Sequence, residues 1–105
     1  MIAEGFVIGV GGGGTSHSTR AEFAAGIAGA EVELIERMWD PEVRIDGHVA
    51  QLWAPYDFYI GAEFSHCGSD AFHFVKIDGE WKMAGVTYSR AQPPACEKHP
   101  EGPPR

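Results

Sequence analysis

The stretch HVAQLWAPYDFYIGAEFSHCGSDAFHFVKIDGEWKMAGVTYSR, residues 48–90, decides the fold of this chain. It is three runs rich in β-branched and aromatic residues, split by the turn signals Gly61-Ala62 and Asp78-Gly79. Such runs with two-residue breaks read as antiparallel hairpins, not helices. EVRI at 42–45, followed by Asp46-Gly47, adds a hairpin in front. A two-residue turn pairs its flanking residues, so each turn predicts a register. Asp78-Gly79 places Phe74 opposite Met83 and Phe72 opposite Gly85. Gly61-Ala62 places Asp57 opposite His66. Asp46-Gly47 places Val43 opposite Ala50 and Ile45 opposite His48.

Without a bulge these registers put Phe72 beside Gln51, on the face that carries Arg44. One extra residue near Ala54-Pro55 repairs the pattern, and a proline inside a long strand is itself a bulge or edge signal. Val43, Ile45, Ala50, Leu52, Phe72, Phe74, Trp81 and Met83 then share one face. Arg44, Gln51, His73, Val75 and Lys82 share the other. The expected fold is α+β: a strongly bent antiparallel sheet, a cone or half-barrel, with one short helix.

Upstream, EGFVIGV (4–10) reads as a short strand and GGGGTSHS (11–18) as a flexible loop. TRAEFAAGIAG (19–29) carries a capping box, Thr19 with Glu22, and ends at Gly29, with Phe23 and Ile27 one turn apart. EVELIERMW (31–39) alternates Val32, Leu34, Glu36 and Met38 on one face, and Asp40-Pro41 breaks it. Residues 1–90 form one domain. The tail, 91–105, holds five of the seven prolines and reads as disordered or draped on the surface.

The chain has 105 residues, 44% of them hydrophobic, and a formal charge of -7. That charge argues against nucleic acid or an anionic membrane as partner, since both need a basic patch. No run is apolar enough to span a membrane, and the start MIAEGFVIGV has no basic leader region, so the expected location is the cytoplasm. Cys67 and Cys96 have no CxxC spacing and make no framework, although a single bridge between them stays open. Gly9, Gly11 and Gly14 fit a dinucleotide fingerprint, but a tract of glycines matches it by chance and the parallel βαβ unit is missing. Thr15 stands where a phosphate-binding loop needs Lys. No cofactor is expected.

On the predicted register Asp57, His66 and Asp70 turn toward the apolar side. A carboxylate or imidazole there must be hydrogen-bonded, neutral or facing a cavity. Asp57 and His66 make a general-base pair or a structural hydrogen bond in a pocket wall. Asp70 meets a ligand or bonds Thr87 across the hairpin. Glu36 is a further inward carboxylate or an outward charge near a bulge. Strand parity separates Cys67 and His73 from His66, so neither a Cys-His nucleophile nor a metal site assembles. Tyr56, Phe58 and Tyr88, with Cys67 and Val86, form an outward apolar patch that reads as a dimer interface.

The segments WDPEVRIDGHVAQLWAPYDF (39–58), FSHCGSDAF (64–72) and DGEWKMAG (78–85), with EGFVIGV and the capped helix before them, resemble the nuclear transport factor 2-like superfamily. Within it they look most like bacterial SnoaL-like and ketosteroid-isomerase-like proteins of uncharacterised function. The resemblance implies a bent sheet curling around helices, a ligand pocket in its mouth, and dimers through the sheet's outer face. Members begin with one or two long helices that plug the cone, and this chain starts at the strand after them. Its concave face is therefore expected to lie open unless the glycine loop, the tail or a second chain covers it. The isomerases' oxyanion-stabilising tyrosine comes from the segment without counterpart here.

The reading is a small-molecule-binding protein for an apolar or aromatic ligand, with weak isomerase or hydrolase chemistry as its extension. Asp57, His66 and Asp70 are the polar candidates, and Trp39, Leu52, Phe64, Phe72 and Met83 the lining. The alternative is a non-enzymatic module that forms homodimers or higher homo-oligomers.

Overall fold

The computed structural model describes residues 1–104. Strands β1 (Phe6–Gly11) and β2 (Gly14–Thr19) form a hairpin, followed by helix α1 (Arg20–Ala28) and strands β3 (Leu34–Met38), β4 (Glu42–Asp46), β5 (Val49–Ile60), β6 (Glu63–Ile77) and β7 (Glu80–Arg90). They build a seven-stranded sheet in the order β2-β1-β7-β6-β5-β3, with β4 also on β5. Pairings are antiparallel except that of β1 with β7, which is parallel. No local signal announces that pair, because a helix and five strands lie between its members.

The residues expected to be a flexible glycine loop are instead the turn and second strand of a hairpin. Gly12 and Gly13 take φ of 63° and 87°, the left-handed pair of a tight hairpin turn. Gly9 has another task. A Cβ there would lie 2.3 Å from the Tyr88 ring, so the missing side chain seats that ring. The dinucleotide-like glycine spacing is thus a turn plus a ring seat.

The capping box forms as predicted: the Thr19 amide donates to Glu22 Oε1 (2.9 Å) and the Glu22 amide to Thr19 Oγ1 (3.2 Å). The helix ends at Gly29 and buries none of its residues. Phe23 and Ile27 face solvent. The strand expected over 31–39 begins at Leu34.

Three register details differ from expectation. Asp46 pairs with Val49, so the first turn is Gly47-His48. Gly47 supplies a positive φ of 58° at the first turn position instead of the second. Val43 therefore meets Leu52, and Ile45 meets Ala50. The Gly61-Ala62 and Asp78-Gly79 turns form as predicted, with Ile60 opposite Glu63 and Ile77 opposite Glu80. The expected extra residue exists, but it is Ser65 in β6, between the Phe58 and Tyr59 pairings, not a residue near Ala54-Pro55. A second bulge at Ala84 shifts Phe72 from Gly85 to Val86, and Asp70 from Thr87 to Tyr88.

The two-faced pattern survives these shifts. Val43, Leu52, Phe72, Val86 and Val7 form one lateral row, and Ile45, Ala50, Phe74 and Met83 the next. Arg44, Gln51 and His73 line up on the opposite face.

That opposite face carries the tail. Cys67 is bonded to Cys96, closing the bridge the sequence left open. Cys67 and Ala91 exchange backbone hydrogen bonds of 3.2 and 2.8 Å. Asp57, fully buried, is paired with its cross-strand neighbour Arg37, Nε to Oδ1 at 3.0 Å and Nη2 to Oδ2 at 2.5 Å. The same pair holds the tail, because the His99 amide donates to Asp57 Oδ2 (2.9 Å) and Arg37 Nη1 to the Gly102 carbonyl (2.7 Å). The tail is draped and anchored.

The first face has no such cover. Val43, Ile45 and Trp81 are exposed there, while Leu52, Phe72, Phe74 and Met83 are half-buried. The radius of gyration, 14.5 Å, exceeds the roughly 13 Å of a compact chain of this length. A single sheet with one face uncovered accounts for the difference.

Candidate functional site: a carboxyl pair inside the bend

The site is built on β3, β5, β6 and β7. Glu36 stands opposite Phe58, and Asp70 stands between Ala54 and Tyr88. Along the strands these positions differ by four residues, roughly 13 Å on a flat sheet. The two carboxyls nevertheless come close enough to perturb each other. Only a sheet curled toward this face closes that distance, so it is the inside of the bend.

Asp70 is 2% exposed, and no N–H or O–H group of the described chain donates to its Oδ2. A buried carboxylate without donors is strongly disfavoured against the neutral acid. Burial first, and then the charge of Glu36, push Asp70 up to about 8. Glu36, exposed as a residue, is also raised, chiefly because its carboxyl is desolvated beside Asp70. Asp70 therefore favours its protonated, neutral form at neutral pH.

Aromatic residues take the neighbouring inner-face positions, Phe58 opposite Glu36 and Tyr88 opposite Asp70. Tyr56 is buried, and its hydroxyl donates to the Ser89 carbonyl at 2.6 Å. Burial and the neighbouring carboxyls raise its pKa, so it stays a neutral phenol. Tyr88 meets Tyr56 edge-on at 6.2 Å. His66 stacks on Phe58 at 5.1 Å and meets Tyr56 edge-on at 5.7 Å. Its Nδ1 lies 2.9 Å from Ser65 Oγ. Burial and then Arg90 lower its pKa, keeping the ring neutral.

The predicted Asp57–His66 pair does not form. Because the bulge lies at Ser65, His66 faces Phe58, and Asp57 faces Cys67 on the other side of the sheet. Asp57 is held below the ordinary carboxylate range by Arg37 and the His99 amide, against its burial. It anchors the tail. His66 and Asp70 do share the inner face, as parity predicted. The expected Asp70 bond to Thr87 is replaced by the contact with Glu36.

The expected lining divides. Leu52, Phe72 and Met83 lie on the inner face. Trp39 and Phe64 lie under the tail, Trp39 edge-on to His99 at 5.1 Å and Phe64 beneath Lys98 at 4.4 Å. Phe64 changes side because it precedes the bulge. The expected outward patch also dissolves. Tyr56, Phe58, Val86 and Tyr88 belong to the inner face, Cys67 to the tail face, and Tyr56, Cys67 and Val86 are buried. Arg90 went unremarked in the sequence, where a lone arginine ending a strand carries no signal. Among the described residues no three His, Cys, Asp or Glu side chains group as a metal site, and no helix is long and apolar enough to cross a membrane.

Comparison with known proteins gives the fold. No family model matches the chain, and no curated protein does. Solved structures do. An NTF2-like protein with a cystatin-like fold from Novosphingobium aromaticivorans superposes with a TM-score of 0.70 at 15% identity, over 90% of this chain and 66% of its own. A protein of unknown function from Mycobacterium tuberculosis gives 0.69 at 19%, over 90% and 57%. An NTF2-like protein from Cytophaga hutchinsonii gives 0.70 at 14%, over 87% and 76%. The fold is thus the NTF2-like, cystatin-like one. The chain spans about two thirds or less of the length of the first two neighbours.

Proposed function

We propose that this protein binds a small apolar or aromatic molecule on the inner face of its bent sheet, with Asp70 as the polar recognition group. The observation that carries this reading is the buried Asp70, with no donor to its Oδ2, set opposite Tyr88 on the inner face with Glu36 and the Tyr56 phenol near it. A neutral carboxylic acid at pH 7 donates a hydrogen bond to a ligand carbonyl or phenol oxygen. Glu36, nearer the solvent, accepts or returns a proton, which is the equipment of a weak isomerase or hydrolase. The cytoplasmic location expected from the sequence sits less well with Cys67–Cys96, since stable disulfides belong to oxidising compartments.

The test is an NMR titration with acetophenone and 2-naphthol, neutral probes with one oxygen each. Shifts should concentrate at the amides of Asp70, Tyr88 and His66. Asp70→Asn, which retains an N–H donor, should weaken binding less than Asp70→Ala, for which a loss of about tenfold is expected. Shifts confined to other strands, or an Ala variant that binds as well as wild type, would refute the reading.

A second reading rests on a separate observation. Val43, Ile45 and Trp81 are exposed beside the half-buried Leu52, Phe72, Phe74 and Met83. An apolar strip of that extent on a sheet favours self-association into a homodimer. Both readings hold together if the strip pairs while the carboxyl end stays open.

A further inference from the structure

Beyond the carboxyl pair, the inner face ends in a groove of about 680 Å³ between the Gly11–Gly14 turn and the start of the tail. Its ionisable lining is Arg90 and His66. The Arg90 guanidinium has only neutral oxygens around it: Ser16 Oγ at 3.3 Å, the Gly14 carbonyl at 3.2 Å and the Gly9 carbonyl at 3.4 Å. Those contacts are long for charge-assisted hydrogen bonds, which run roughly 2.7–2.9 Å. Among the described residues the one Lys or Arg held in a salt bridge is Arg37. Arg90 thus presents an uncompensated cation in a chain whose net charge is -7.

The far wall of the groove is glycine and faces open space. Cβ atoms at Gly12, Gly13 and Gly14 would meet nothing within 4 Å. The groove also adjoins the candidate site. His66 belongs to both, and Arg90 lies 5.9 Å from the centre of the Tyr88 ring. Tyr88 is the cross-strand partner of Asp70. Arg90 is two residues further along β7, one strand repeat or roughly 7 Å.

We infer that the ligand is a monocarboxylic acid whose carboxylate docks on Arg90 beside His66, and whose apolar body runs along Tyr88 and Phe58 toward Asp70. A second oxygen, a ketone or hydroxyl, then reaches Asp70 about 7 Å from the carboxylate. One guanidinium and one neutral imidazole balance a single negative charge. A dianion such as a phosphate monoester keeps an excess charge that the acidic chain repels. The inference rests on the inner-face ligand site proposed above and adds the class of ligand.

The experiment compares 4-benzoylbutyrate with its primary amide, on wild type and on Arg90→Gln, Arg90→Lys and Asp70→Ala. The acid should bind wild type at least about tenfold tighter than the amide, the usual advantage of a charge-assisted contact. Its shifts should include the Arg90 and His66 amides. Arg90→Gln should erase the preference and Arg90→Lys keep part of it. The wild-type comparison needs no variant, so a poorly folding Arg90→Gln does not obscure the answer. Equal binding of acid and amide to wild type overturns the inference, and the Asp70 reading stands if Asp70→Ala still weakens both affinities. An Arg90-dependent preference for the acid, with affinities untouched by Asp70→Ala, supports the carboxylate site and removes the role given to Asp70. No binding of the acid at millimolar concentration overturns the inference outright.

Discussion

Asp70→Asn should stabilise this protein, and the gain should grow with pH. The unfolded Asp70 has the ordinary pKa of 3.8, and the folded one about 8. Between those values the folded state holds a proton that the unfolded state has released. Unfolded minus folded bound protons is then minus one, so stability falls as pH rises, by about 1.4 kcal/mol per unit. The contribution is complete below 3.8 and lost on passing through about 8. Asparagine is neutral at every pH and nearly isosteric, and its amide is a donor facing the neighbouring Glu36 carboxylate. At pH 4 the variant and wild type should therefore unfold alike. At pH 7 the variant should be more stable by about 4 kcal/mol, which is roughly 2–3 M in the urea midpoint. Asp57 and His66 titrate as well. The lowered Asp57 loses its stabilisation as pH falls through its folded pKa, and the buried, neutral His66 disfavours folding once pH drops below its unfolded value. Both are present in the two proteins and cancel in the difference. Urea melts at unit steps from pH 4 to pH 8 give the curve. A difference that stays flat across that range would show that Asp70 is ionised and solvated.

Two further outcomes test the rest of the architecture. The Cys67–Cys96 bridge spans 29 residues, so its removal in Cys96→Ser should lower stability by about 3.5 kcal/mol in the loop-entropy picture, and reductant should bring wild type to the same value. Two free thiols in the unreduced native protein would mean that the tail is held by Asp57 and Arg37 alone. The exposed Val43, Ile45 and Trp81 should hold two copies together in sedimentation velocity at micromolar concentration, and Ile45→Lys should shift the population toward monomer. A wild-type monomer that binds no dye for apolar surface would remove the homodimer reading.

Much of the sheet was legible because strand alternation and turn chemistry are local. The capping box of α1, the Gly61-Ala62 and Asp78-Gly79 turns and the division of faces along β5 and β6 all follow from neighbouring residues. The need for one extra residue was legible too, since without it Phe72 falls beside Gln51 on the face of Arg44. Its position was not. Every placement between the Gly61-Ala62 turn and Leu52 repairs the hydrophobic pattern equally, yet only a placement on the turn side of Asp57 and His66 gives those two residues other partners. That one ambiguity separates the expected Asp57–His66 pair from the observed Asp57–Arg37 anchor.

By itself, then, the amino-acid order determined an α+β chain with a bulged, two-faced sheet, and placed His66 and Asp70 on the apolar side. Tertiary structure decided what those residues meet. The curl of the sheet brings Glu36 across to Asp70 from four residues away along the strand, a contact absent from any flat register. Tail packing over Cys67 and Asp57, and the parallel pairing of β1 with β7 that sets Gly11 beside Arg90, are equally non-local. The physical reason is common to all three. Pairing rules act on neighbours in the chain, whereas curvature and chain crossing depend on the sum of every bulge and turn in the sheet.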